Sequence, residues 1–330
     1  MKKFLKIFLL IILGIIILLF LYLFVGKTKP ADNIDWGVTF SKRYAIDLGL
    51  DWKALFLKII YDLGVEKFRL IAYWDEIEKE QGEYDFSDID WQIDQVKDSE
   101  GEIILALGRR LPRWPECFEP EWIKNFSKED KGEALLSFVS KVIERYKDVE
   151  NIKIWQIENE PFLGFFGECH KLDKKLLDYE IALARSIDPS RPIMITESGE
   201  FSTWIGGSKR ADILGTSIYR KIYGSLKFYI TYPIPPVFYH RKTNLVKTFF
   251  NLQDVIAIEV QAEPWGHKGT KDMTIEEQDI SMSFNQFNSI LEYIKKTGFN
   301  KAYLWGVEWW YWRIKEFNDY SFWNRAKDLF

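Results

Sequence analysis

Two short stretches of this sequence place carboxylate side chains directly after runs of apolar residues. Residues 152–157 lead into Glu158-Asn159-Glu160-Pro161, and residues 255–258 lead into Glu259, with Glu263, Pro264 and Trp265 close behind. Carboxyl groups at the ends of buried runs suit acid–base and nucleophilic chemistry. One that sits in apolar surroundings or beside a second carboxylate keeps its proton, whereas one beside a guanidinium gives it up. A guanidinium is at hand in Arg69, inside the apolar run 67–72. A buried arginine is costly enough to demand a carboxylate partner. Glu259 follows four apolar residues, the usual length of a short inner strand, and is the preferred partner. Glu263 lies four residues on, with the same strand parity. A longer strand would exchange their roles, leaving Glu259 on the wall and Glu263 at its end.

Those residues need elements to hold them. Apolar runs of about five residues recur at 36–40, 67–72, 102–107, 152–157, 192–196, 213–217, 255–259 and 301–305. Runs such as Ile103-Ile104-Leu105-Ala106-Leu107 do not alternate with polar residues. Both faces must therefore be covered, as in parallel strands flanked by helices. The intervening segments carry helical spacing. Leu135, Phe138, Val139, Val142, Ile143 and Tyr146 recur every three or four residues, and a second pattern over 275–297 closes at Gly298. Eight such units in 36–330 predict one (β/α)8 barrel, an α/β fold whose reacting groups sit at the C-terminal ends of the strands. An open, doubly wound sheet is the structural alternative. No glycine-rich dinucleotide fingerprint follows the first run, where Thr39-Phe40-Ser41-Lys42-Arg43 stands instead, and no cofactor is expected.

With that frame, the chain resembles the retaining glycoside hydrolases of clan A, which include families 5, 10, 39 and 42. The resemblance rests on Asn159-Glu160-Pro161 after a fourth strand and on agreement at other strands across nearly the whole domain. It implies that Glu160 is the general acid/base and that Asn159 hydrogen-bonds a sugar 2-hydroxyl. It further implies that Glu259 is the nucleophile closing strand seven, with Arg69 beside it and Tyr219 as its hydrogen-bond partner. Trp305, at the eighth strand, would floor the cleaved-sugar subsite. Trp265 and Trp309 are further candidates for sugar contact, and Glu263 is either a rim residue for sugar hydroxyls or the alternative nucleophile. The implied reaction is hydrolysis of a β-linked oligo- or polysaccharide by double displacement. A transglycosylase of cell-envelope glycans would use the same residues, and an inactive carbohydrate-binding barrel would keep the fold without the chemistry.

The remaining features bound the setting. Lys2, Lys3 and Lys6 precede an apolar run from Ile7 to Val25, close to the ~20 residues that cross a bilayer. Bulky Phe20, Tyr22, Phe24 and Val25 leave no small-residue cleavage site. Residues 1–26 thus read as an uncleaved, single-pass signal anchor, 27–35 as a polar tether, and 36–330 as a catalytic domain outside the cytoplasm. A formal net charge of -4 supplies no broad basic field for nucleic acid. Cys117 and Cys169 are the only cysteines, and both fall in loops on the catalytic face of an exported domain, where a disulfide is expected. Glu197 or Glu200, after strand five, is expected to pair with Arg109 or Arg110. His170, His240 and His267 are too scattered for a metal site, and a monomer is expected.

Overall fold

In the computed structural model, which describes residues 2–169 and 172–330, the eight apolar runs become eight parallel strands. They are β1 (Asp35–Thr39), β2 (Lys67–Ile71), β3 (Glu102–Leu107), β4 (Ile152–Ile157), β5 (Ile193–Glu197), β6 (Ile213–Ile218), β9 (Asp254–Gln261) and β10 (Lys301–Trp305). The barrel closes in the order β1-β10-β9-β6-β5-β4-β3-β2, so β1 pairs with both β10 and β2. Between β6 and β9 the chain makes a small antiparallel hairpin, β7 (Lys221–Tyr223) with β8 (Tyr229–Thr231).

The strands bury both faces. Inward-pointing Ile104, Ile154, Met194, Ile256, Ile258 and Tyr303 fill the barrel, and a larger apolar layer lies between the strands and the surrounding helices. At Gly37 a Cβ would sit 2.6 Å from the Tyr303 ring, so glycine is required beside that inward phenol. The helix Lys128–Tyr146 buries Leu135, Phe138, Val139, Val142, Ile143 and Tyr146, the stripe that its spacing predicts, and the Ser127 hydroxyl caps its first turn.

Two elements differ from expectation. The helical pattern over 275–297 is two helices, Ile275–Met282 and Phe284–Thr297, because Ser283 is extended and its hydroxyl caps the second by accepting the Gln286 N–H at 3.2 Å. The seventh barrel strand, β9, runs two residues past Glu259, yet the expected exchange of partners does not follow: Arg69 still meets Glu259, and Glu263 meets Arg113. The helix Lys2–Phe24 is long and apolar enough to cross a bilayer. Arg241 holds its end to the barrel, donating to the carbonyls of Tyr22 and, at 2.8 Å, Val25. The segment after it lies along the barrel, where the Ala31 N–H donates to the Lys295 carbonyl at 2.8 Å.

Candidate active site

The C-terminal ends of β2, β4, β6 and β9 bring the acidic and basic groups together. Arg69 of β2 is fully buried, and each arm of its guanidinium has a partner. Nη1 donates to Glu259 Oε1 at 2.6 Å, Nη2 to Asn159 Oδ1 at 2.7 Å and Nε to Gln156 Oε1 at 2.7 Å. One carboxylate and two neutral amides thus surround it, and a bonded charge pair of this kind stays formed in a dry interior. The other oxygen of Glu259 faces the Tyr219 hydroxyl at 3.5 Å, a long contact.

Glu160 is the third residue of the loop after β4. Its φ of 42° lies in the left-handed region, as does Glu158 at 58°, a backbone form that non-glycine residues hold only when the surroundings enforce it. The enforcement is visible. The Glu160 N–H donates to Thr196 Oγ1 at 2.8 Å, and Glu158 accepts the Arg109 and Arg110 N–H groups at 3.0 and 2.7 Å. The Glu160 carboxylate accepts from Ser217 Oγ at 2.7 Å, and Ser217 is the β6 residue in register with Glu259 on β9. Burial first, then the charges of Glu259 and Glu116, push the Glu160 carboxyl well above the usual carboxylate range. The site therefore holds one ion-paired carboxylate and one carboxyl whose hold on a proton is strengthened.

Glu263 lies beyond the end of β9, outside this arrangement. It pairs with Arg113 of the loop after β3 and accepts the Trp305 indole N–H at 2.7 Å. Arg113 Nη2 also reaches Glu308 at 3.0 Å, and the guanidinium lies 3.8 Å from the Tyr44 ring center and 4.1 Å from that of Trp305. Burial alone would weaken the proton's hold on Arg113, but Glu263 and Glu308 more than offset it; Glu308 is pushed up to about 7 by burial, partly countered by Arg113. One indole face of Trp305 is thus covered by a guanidinium. Trp265 is half-buried, with Tyr219 at 5.1 Å and Phe166 at 5.5 Å. Trp309 is fully buried, packed on Phe322 at 4.6 Å with its N–H given to Gln278, and it does not line the mouth.

The other expectations divide. Cys117 and Cys169 form a disulfide joining the loops after β3 and β4. Glu197 and Glu200 do not pair with Arg109 or Arg110. Glu197 accepts the Gly207 N–H, and Glu200 accepts the Tyr219 N–H at 2.8 Å and the Tyr239 hydroxyl at 2.9 Å. Arg110 instead bonds Glu116 at 2.7 Å, because the disulfide-braced loop folds back over its own start. His170 lies outside the described residues. Gln156, Ser217, Glu116, Arg113 and Glu308 were not singled out in the sequence. Gln156 and Ser217 carried one usable signal, a polar side chain inside an apolar run. A separate depression lined by Lys42, Arg43, Asp75, Glu76 and Asp88 lies away from Glu160 and Glu259, and its charges are already paired with one another.

No family model matches the chain, and no curated protein sequence does. Solved structures do match. The chain is similar to an exo-β-1,4-mannosidase from Opitutaceae bacterium strain TAV5, at 15% identity and TM-score 0.58, covering 86% of this chain and 53% of that one. It is similar to a GH5_18 protein from Bifidobacterium longum subsp. longum, at 14% identity and TM-score 0.59, covering 83% and 70%. It is also similar to xylanase 10B from Thermotoga petrophila RKU-1, solved with xylobiose, at 14% identity and TM-score 0.54, covering 86% of each. The chain spans about half the length of the mannosidase. At these identities the likeness establishes the fold alone, a closed barrel of eight parallel strands.

Proposed function

We propose that this protein is a retaining glycoside hydrolase acting on a β-linked glycan, with Glu160 as proton donor and Glu259 as nucleophile. The observation that carries the proposal is the contrast between two neighboring carboxyls: Glu259 in an ion pair with Arg69, and Glu160 held protonated by burial and by Glu259 itself. Glu160 gives its proton to the glycosidic oxygen while Glu259 attacks the anomeric carbon, and the bond to the leaving sugar breaks. Glu160, now a carboxylate, takes a proton from water. The water oxygen bonds to the anomeric carbon and the Glu259 ester bond breaks, restoring both groups with retained configuration. Direct attack asks for a gap of about 5–5.5 Å between the two carboxyl groups. The unpartnered, buried Nδ2 of Asn159 supports a role as donor to the sugar 2-hydroxyl. The likeness to a mannosidase and a xylanase supports a β-linked substrate.

The helix Lys2–Phe24 anchors the protein in this reading, with its lysines cytoplasmic and the barrel outside, where a Cys117–Cys169 bridge persists. The test uses the full chain in detergent on 4-nitrophenyl β-glucoside, mannoside, galactoside and xyloside. Glu160→Gln and Glu259→Ala are each expected to lower turnover about 10²–10⁴-fold, with azide restoring part of the rate to Glu259→Ala. An unaltered rate in either variant refutes the assignment.

A further inference from the structure

In the ring of strands, β3 and β9 stand four steps apart in either direction, on opposite walls of the barrel. Arg113, from the loop after β3, nevertheless bonds Glu263, just beyond β9, so this ion pair spans the mouth. It divides the opening into two halves. On the β1 and β10 side the space is filled: the Arg113 guanidinium lies between Tyr44 and Trp305 and bonds Glu308, which in turn accepts the Ser41 N–H at 2.5 Å. On the β4 and β5 side, which the bar does not cross, the described rim residues include two exposed rings, Phe165 and Phe201, with centers 5.4 Å apart.

Glu160 belongs to the open half. A leaving-group oxygen must lie against the proton donor, so the departing part of the glycan runs out over the open half. The glycosyl unit that transfers to Glu259 faces the bar. The bar is close to that position, since Tyr219, whose hydroxyl reaches Glu259, also experiences the charges of Glu263 and Arg113. Two atoms of the bar are shielded and have no partner, Glu263 Oε2 and Arg113 Nε. The first is an acceptor and the second a donor, and a sugar hydroxyl, which donates one hydrogen bond and accepts others, complements both. Glu263 and Glu308 already meet the Arg113 charge, so the pair suits an uncharged sugar and not an acidic one.

We infer that the Arg113–Glu263 bar makes the glycosyl side of the cleft blind, so that the protein removes single neutral sugars from the non-reducing end of its glycan and holds their terminal hydroxyls on Glu263 Oε2 and Arg113 Nε. This inference rests on the proposed hydrolase function. In an open cleft the terminal O4 of a β-1,4 chain is simply where the next sugar would attach, and a substituent there is tolerated. Against a blind wall it clashes.

The experiment uses the full chain in detergent with cello-, manno- and xylopentaose, each with a free or a 4-O-benzylated non-reducing end, followed by calorimetric binding and by product analysis after reducing-end labeling. The expected result is at least tenfold weaker binding of the benzylated form of whichever pentaose binds, and a labeled tetraose as the first product. Arg113→Ala and the milder Glu263→Gln are each expected to narrow that binding difference. Equal binding of the two forms, or labeled bioses and trioses among the first products, overturns the blind end and leaves the hydrolase reading standing. End-discriminating binding with no cleavage upholds the blind end and removes the hydrolase reading. Failure of every pentaose to bind removes both.

Discussion

Two buried arginines stand at the same end of this barrel, and their surroundings differ. Arg69 meets one carboxylate and two neutral amides, whereas Arg113 meets two carboxylates and two aromatic faces. The first arrangement gives every guanidinium nitrogen a partner and fixes a single carboxylate against it, while burial and that carboxylate raise the proton affinity of a second carboxyl, Glu160. The second arrangement ties the β1, β3, β9 and β10 sides together, and its strength comes from double charge pairing. The count of carboxylates separates the two arginines, one against Arg69 and two against Arg113.

Removing the arginines tests that contrast most severely. Arg69→Met leaves Glu259 buried without its cation and is expected to cost about 3–5 kcal/mol, read as a lowered urea midpoint. Arg113→Met is expected to cost a similar amount at pH 8 but less at pH 5, because Glu308, pushed up to about 7, already carries a proton at pH 5 and faces Arg113 as a charge only at the higher pH. Equal losses for Arg113→Met at both pH values would show that the second cluster does not depend on charge.

The bridge between Cys117 and Cys169 braces the loop that carries Arg113 and closes a loop with a sequence separation of 52. Cys117→Ser with Cys169→Ser is expected to lower stability by about 2–4 kcal/mol. Because Arg69 and Glu259 stand on strands, turnover on 4-nitrophenyl glycosides is expected to change far less than the melting temperature. A parallel collapse of both would tie the two regions into one unit.

Smaller effects come from protons. Glu116, Glu200 and Glu308 are each pushed up to about 7, chiefly by burial. An unfolded glutamate titrates near about 4.3, so between there and about 7 the folded chain binds more protons than the unfolded one. Their contribution to stability is complete below the unfolded value and is lost as pH rises through 7. The melting temperature is therefore expected to be higher at pH 5 than at pH 7.5, and Glu308→Gln is expected to flatten that slope. The slightest expected change is Ser217→Ala, which deletes the hydrogen bond to Glu160 and costs about 0.5–1.5 kcal/mol. Because that bond favors the ionized form, its loss moves the alkaline limb of the rate profile to higher pH; an unmoved limb would detach Ser217 from Glu160.

Much of the fold was legible beforehand because its signals are local. Eight non-alternating apolar runs, with helical spacing between them, specify parallel strands covered on both faces, and no distant contact is needed to recognize them. Glu160 and Glu259 were visible for the same reason, as acidic residues at or beyond the ends of such runs, and Arg69 as a charge inside one, whereas Asn159 came with the family resemblance. The break at Ser283 inside the pattern over 275–297 was not legible, because a serine within a helical pattern looks like a solvated position until its own hydroxyl is seen capping the next helix. Trp309 was misread because helical spacing does not tell which face of an aromatic-rich helix meets the barrel mouth.

The sequence by itself determined the strands, the apolar helix at the N-terminus and the set of ionizable side chains gathered at one end of the barrel. Only the tertiary structure decided how they pair: Glu259 with Arg69, Glu263 with Arg113 across the mouth, and Glu160 with Ser217. The physical reason is range. Strand and helix formation follow from neighbors a few residues apart, whereas an ion pair between residues 150 positions apart depends on barrel closure, which sets which walls face each other.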